Sequence, residues 1–137
     1  MTDDDGRQRA RSGSPFEAAI GFSRAIRVGD RILVSGTAPV EDDGASTPGD
    51  ATAQAERCFV LIERAIVALG GTMADVVRTR MLLTDTDDAV AVGNVHGRWM
   101  QAAHPAATMA VVAALIRPEW RVEIEAEAIV TSERSVR

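Results

Sequence analysis

The hydrophobic positions change period several times along the chain, and each change marks an element. From residue 121 to 130 they alternate strictly. Val122, Ile124, Ala126, Ala128 and Val130 fall on one side, and Arg121, Glu123, Glu125 and Glu127 on the other; this is the two-residue period of a half-buried strand. Between 51 and 69 the apolar residues Ala55, Cys58, Phe59, Ile62, Ala65, Ile66 and Leu69 recur at helical spacing. Asp50 stands in front as an N-cap and Gly70-Gly71 ends the run. Two β-branched runs flank Gly29-Asp30 and predict a hairpin with a two-residue turn. Its register pairs Val28 with Arg31, Ile26 with Leu33, and Arg24 with Ser35. Residues 40–50 read as a loop, and VVRTRMLLT at 76–84 as a strand. A second helix is expected from near Asp85 or Thr86 to about Ala103, with Val92, Val95, Trp99 and Ala103 on its buried side. The apolar run ATMAVVAALI at 107–116 predicts a long strand, and Arg117-Pro118-Glu119 turns the chain into the last one.

The order is β-β-α-β-α-β-β, an α+β fold with one mixed sheet and two helices on one face. A single domain spans 15–131. Residues 1–14, polar and Gly/Ser-containing, predict a disordered N-terminal tail, and 132–137 a C-terminal tail. With the helices on one side, the other face of the sheet is left to water or to further copies of the chain.

Composition narrows the function classes. The chain has 137 residues, 46% hydrophobic and 26% charged, with a net charge of −5. That balance counts against a nucleic-acid binder relying on a broad basic face. No apolar run approaches the roughly 18 residues needed to span a bilayer, and the first residues lack the apolar core of a signal peptide. A cytoplasmic protein with no membrane contact is expected. A single cysteine excludes an intrachain disulfide.

The candidate chemistry is sparse. His96, His104 and Cys58 share no metal-ligand spacing, so neither a metal nor a cofactor is expected. There is no G-x-S-x-G elbow and no phosphate loop, and Cys58 lies on the apolar stripe of its helix. Gly93 and Gly97 sit inside the second helix, where each costs about 1 kcal/mol relative to alanine. Close packing against the sheet is the favoured account; room for a ligand beside the helix is the other. Arg24 opposite Ser35 puts a guanidinium beside a hydroxyl, a pair suited to a carboxylate; an edge arginine in water is the plainer reading. Arg78 and Arg80 share a strand face, as do Glu123, Glu125 and Glu127, so a structural charge network accounts for most of the five.

Four stretches taken together carry a resemblance. RAIRVGDRILVSGTAP, VVRTRMLLTDTDD, HPAATMAVVAALI and VEIEAEAIV resemble, in order and spacing over about residues 18–130, the reactive-intermediate-deaminase family (Rid, YjgF-like, formerly endoribonuclease L-PSP). The resemblance implies a chorismate-mutase-like homotrimer whose sheets line a central barrel, with small metabolites bound in clefts between subunits. In deaminating members an arginine in P-A-R-[ST] clamps the substrate carboxylate, and a glutamate opening E-I-E-A positions the water that attacks an imine carbon. Carried across, Glu123 matches the catalytic glutamate and Ser35 a serine of the pocket. Phe22 stands at a tyrosine position, without its hydroxyl. Gly93 stands at an asparagine position, with Asn94 adjacent. The P-A-R-[ST] segment reads Pro105-Ala106-Ala107-Thr108, so Ala107 replaces the clamp and Thr108 follows it. That replacement counts against standard 2-iminoacid deamination, and Arg24 is the candidate substitute cation. Two functions stay open: a hydrolase acting on an enamine, imine or related C=N substrate, or a non-catalytic trimer that binds a small ligand or serves as a chaperone-like scaffold. The expected partners are further copies of the chain and a small molecule, a carboxylate among the candidates.

Overall fold

Gly29 adopts φ 61°, the left-handed conformation that a two-residue hairpin turn demands, and the strands on either side pair as that turn dictates. In this computed structural model, which describes residues 2–131, β2 (Ala25–Val28) runs antiparallel to β3 (Arg31–Thr37), with Val28 opposite Arg31 and Ile26 opposite Leu33. The C-terminal tail expected at 132–137 lies outside the described residues.

Upstream, β1 (Gln8–Ala10) forms within the stretch that predicts a tail, and α1 (Pro15–Ile20) follows at the start of the predicted domain. β1 pairs antiparallel with the free edge of β2, Arg9 opposite Ile26. The reason is local. Arg9 is held by Asp3 and Asp5 at 2.7 Å each, and α1 has its own start signals, with Ser14 capping Phe16 N–H and Pro15 in the first turn.

α2 (Ala51–Ala68) is capped by Asp50, which accepts from Ala53 N–H at 3.0 Å. β4 (Val76–Leu83) follows a 3-10 turn. The second long helix is shorter than its periodicity suggests. A 3-10 turn at Thr86–Asp88, with Asp85 accepting from Asp87 N–H, precedes α3 (Ala89–Trp99). β5 (Ala106–Val111) is also shorter than the apolar run that predicts it. It runs parallel to β4, and its last partner is Leu83, the end of that strand. Beyond Val112, whose N–H donates to Leu83 carbonyl at 2.7 Å, no neighbouring backbone remains to continue the ladder. β6 (Val122–Ile129) closes the sheet.

The strand order is β1-β2-β3-β6-β4-β5, antiparallel except for β4 and β5. α2 packs on β3 and β6 and against α3. The core lies between this helical layer and one face of the sheet, where Ile32, Val76, Leu83, Val122 and Ile124 meet Cys58, Phe59, Ile62 and Ile66, all buried. Among the described residues the opposite face carries no further element, and it exposes Leu33 at 38%. No helix among the described residues is long and apolar enough to cross a membrane.

Candidate functional site

The three glutamates of β6 have different neighbours on the open face. Arg78 lies opposite Glu127 and Arg80 opposite Glu125, but Leu82 lies opposite Glu123. Arg80 bonds Glu125 at 2.9 Å, and Arg31 of β3 approaches Glu127 at 3.4 Å. The expected charge network therefore exists, and it stops short of Glu123. Half-buried, the Glu123 carboxyl is pushed above the usual carboxylate range by burial; Arg24 pulls it back in part and Glu125 adds to the rise.

On its other side Glu123 meets an irregularity. The β3–β6 register shifts between Val34 and Thr37, so Ser35 and Gly36 form a bulge. Gly36 lets the Glu123 carboxylate lie against the bulge, since a Cβ at that position would overlap it. The Ser35 N–H donates to the Arg24 carbonyl at 3.0 Å, completing the predicted cross-strand pair. The side chains do not pair as expected. Ser35 Oγ turns away and donates to the Ser23 carbonyl at 2.7 Å, while Arg24 Nη2 donates to the Gly36 carbonyl at 2.5 Å. Alternation put guanidinium and hydroxyl side by side, but the bulge re-aims both.

Arg24 is the cation of this corner. Its guanidinium lies over the Phe22 ring, 5.7 Å from the centroid, and its Nε–H is buried without an acceptor among the described residues. Burial pulls its pKa down, against Glu17 and Glu123, which favour the charged form. Glu17, a residue the sequence reading did not single out, is buried on α1 and bonds both Ser12 N–H, at 3.1 Å, and Ser12 Oγ. Its signal was present as Ser14-Pro15-Phe16-Glu17, a capping-box spacing. Gly36 stands within the VSG segment, but no pattern of alternation marks a bulge.

The remaining candidates lie elsewhere. Ala107 pairs with Thr79 and Thr108 with Arg80 on β5, which β4 separates from β6. Strand alternation puts Ala107 on the helix side of the sheet and Glu123 on the open side. Asn94 is exposed on α3. One chain thus assembles Phe22, Arg24, Ser35 and Glu123 at one corner and leaves Asn94, Ala107 and Thr108 at the far edge. Among the described residues, no three His, Cys, Asp or Glu side chains gather as a metal site.

The family profile described as endoribonuclease L-PSP matches residues 13–130. The chain belongs to the Rid/YjgF family. Within it, a solved Mycobacterium tuberculosis protein, described as a member of the highly conserved YjgF/YER057c/UK114 family, is 42% identical. That likeness covers 90% of this chain and 99% of that one, with a TM-score of 0.82. An uncharacterised protein of Streptomyces coelicolor is 36% identical over 88% of this chain and 90% of its own length. A goat relative, 34% identical over 89% of this chain and 90% of its own, is named 2-iminobutanoate/2-iminopropanoate deaminase. The YjgF-type architecture of the solved relatives matches the α+β sheet described above.

Proposed function

We propose that the protein is a cytoplasmic homotrimer that hydrolyses a small C=N substrate in clefts between subunits, with Glu123 as the base. The observation that carries this is the isolation of Glu123. It alone among the β6 glutamates faces no arginine across the strand, and burial raises its proton affinity. A carboxylate so placed suits proton transfer near neutral pH better than a salt-bridged one.

In this reading Glu123 takes a proton from water as the water oxygen attacks the imine carbon. The proton returns to the nitrogen of the resulting carbinolamine. Glu123 then takes the carbinolamine hydroxyl proton and passes it to the nitrogen as the C–N bond breaks, so ammonia leaves and a carbonyl remains. The chain contains no lysine, all fifteen of its basic side chains being arginine, so water adds directly and no lysine Schiff base intervenes. Arg24, with an unused buried Nε–H, holds a substrate carboxylate or the developing negative charge. The separation of Ala107, Thr108 and Asn94 from Glu123 supports a cleft that needs a neighbouring copy: the far edge of one subunit faces the Glu123 corner of the next. The goat relative's name supports the reaction class.

Ala107 favours a second reading, ligand binding without turnover. The experiment that separates the two follows ammonia release from imines generated in situ by an amino-acid oxidase or threonine dehydratase, and from imines without a carboxylate generated by an amine oxidase. Acceleration that disappears in Glu123→Gln supports hydrolysis. 2-Iminobutanoate should be a poor substrate, because the bidentate clamp is missing. In calorimetry, Arg24→Ala should lose small-carboxylate binding at least tenfold. Carboxylate binding with no imine accelerated would leave the binding reading in place.

A further inference from the structure

The chain has only two histidines, and both line one recess. It is open to the surface, about 170 Å³ in volume, and bounded by His96, Gly97, Met100, His104 and Pro105. Backbone bonds build it. Met100 N–H donates to the His96 carbonyl and His104 N–H to the Met100 carbonyl, both at 2.9 Å. Two successive i to i+4 links thus bring the three side chains to one side of the end of α3.

Gly97 is an exposed residue on the rim of the recess. It stands inside a helix, where alanine is the more stable choice, and a Cβ there would meet nothing within 4 Å. The close packing expected for this glycine is therefore not its explanation. Gly93 does have a neighbour, since a Cβ there would touch Met109 Cε at 4.0 Å. His104 adds an independent sign. At φ 44° it is the sole non-glycine residue at positive φ among the described residues, the kind of backbone strain that collects at ligand sites.

The polar character of the recess follows from Thr79. This threonine is buried, and its hydroxyl makes one side-chain bond, to His96 Nε2 at 2.7 Å. A buried hydroxyl proton needs an acceptor, so Oγ1–H donates to Nε2. That fixes the neutral tautomer of His96, with its proton on Nδ1. Burial lowers the pKa of His96 and keeps the ring neutral. The recess is thus lined by two imidazoles, that of His96 carrying its proton on Nδ1, and by Met100. No Arg, Asp or Glu lines it.

We infer that this recess is a binding site for a small, planar, uncharged molecule with a hydrogen-bond acceptor, an aromatic amide or heterocycle in chemical class. The size fits a single ring, as a cavity of about 150 Å³ takes up benzene. The neutral N–H requires an acceptor, and the polarisable sulfur favours a π face. Without a fixed cation, an anion would lose its hydration and gain no compensating charge. The inference holds whether or not the Glu123 corner turns over an imine.

The two histidines make the test direct, because their Cε1–H groups give two proton–carbon NMR signals in the full-length protein. Benzamide is the probe, and benzoate is its charged isostere. Benzamide should shift both signals saturably in the millimolar range, and benzoate should bind at least tenfold more weakly at pH 7.5. Gly97→Val, which fills the recess, should abolish the benzamide response without changing particle size in light scattering. Glu123→Gln should leave that response unaltered, which separates this site from the proposed catalytic corner. Should Gly97→Val fail to fold, Gly97→Ala narrows the same space and should weaken benzamide severalfold. No benzamide response in the wild type would overturn the inference, as would benzoate binding equally or more tightly. Dissociation of the oligomer in Gly97→Val would overturn it too, by showing that another copy of the chain fills the recess.

Discussion

Glu123 and Glu125 stand two residues apart on the same strand face and behave differently because of what lies opposite. Arg80 neutralises Glu125, and both side chains remain substantially exposed; such a pair contributes about 0.2–1 kcal/mol. Glu123 has Leu82 across from it and Gly36 beneath it, so burial disfavours its charge and Arg24 offsets that only in part. The sign of its pH effect follows. A carboxyl whose folded pKa lies above its ordinary 4.5 stabilises the fold below that value and loses the contribution as pH rises through the raised one. Glu123→Gln should therefore match the wild type in melting temperature near pH 4 and exceed it near pH 7.5, while ammonia release falls by about 10²–10⁴-fold. A variant that melts lower at pH 7.5 than the wild type would show that the carboxylate is stabilised by a partner after all.

Among the elements, the bulge in β3 and the C-terminal end of α3 stand out. The bulge lets Gly36 receive Arg24 on its carbonyl and Glu123 against its α-carbon. In Gly36→Ala the new methyl meets the free end of a flexible side chain, which can move, so stability should change by less than about 1 kcal/mol. The carboxylate would be displaced, however, and a shift of about 1 Å is enough to cost roughly 10²-fold in rate. Kinetics beside thermal melts would show this split; equal loss of both would mean that the glycine serves the fold alone. Gly97→Ala should do the reverse. Nothing obstructs its methyl, so helix propensity should add about 0.5–1 kcal/mol, visible in urea unfolding. The hairpin and α2 were legible residue by residue, because Gly29-Asp30 and Asp50 act on their nearest neighbours. β5 was not: its apolar run extends to Ile116, but a strand lasts only as long as its partner, and β4 ends at Leu83. β1 was missed for the complementary reason. Two of its three residues are polar, and it is held by the edge of β2 and by Arg9 with Asp3 and Asp5.

At the scale of the whole molecule, one sheet carries helices on a single face. The other exposes Leu33 among the arginine–glutamate pairs, and the edge at β5 leads to Val111 at 52% and Ile116 at 81% exposure. An unpaired edge strand with apolar side chains is a surface that proteins cover. Covering it with the Glu123 corner of a second copy would join the two separated groups of site residues. Light scattering at micromolar concentration should give three times the 14.6 kDa subunit mass. A monomeric particle would remove both the trimer and the shared cleft.

The sequence by itself determined the chain's local order. Period and caps set the hairpin register, α2, β4 and β6, because these depend on residues within a few positions of one another. It also determined the family, through VSG, the strand at 76–84 and VEIEA. Only the tertiary structure decided which of three equivalent glutamates stands alone, because that depends on the register between β4 and β6, strands about forty residues apart in the chain. It likewise decided that Arg24 bonds Gly36 rather than Ser35, because a bulge breaks the alternation from which the pair was inferred. And it brought His96 and His104 to one recess, since the end of α3 and the turn after it, not any spacing of ligands, set where those rings meet.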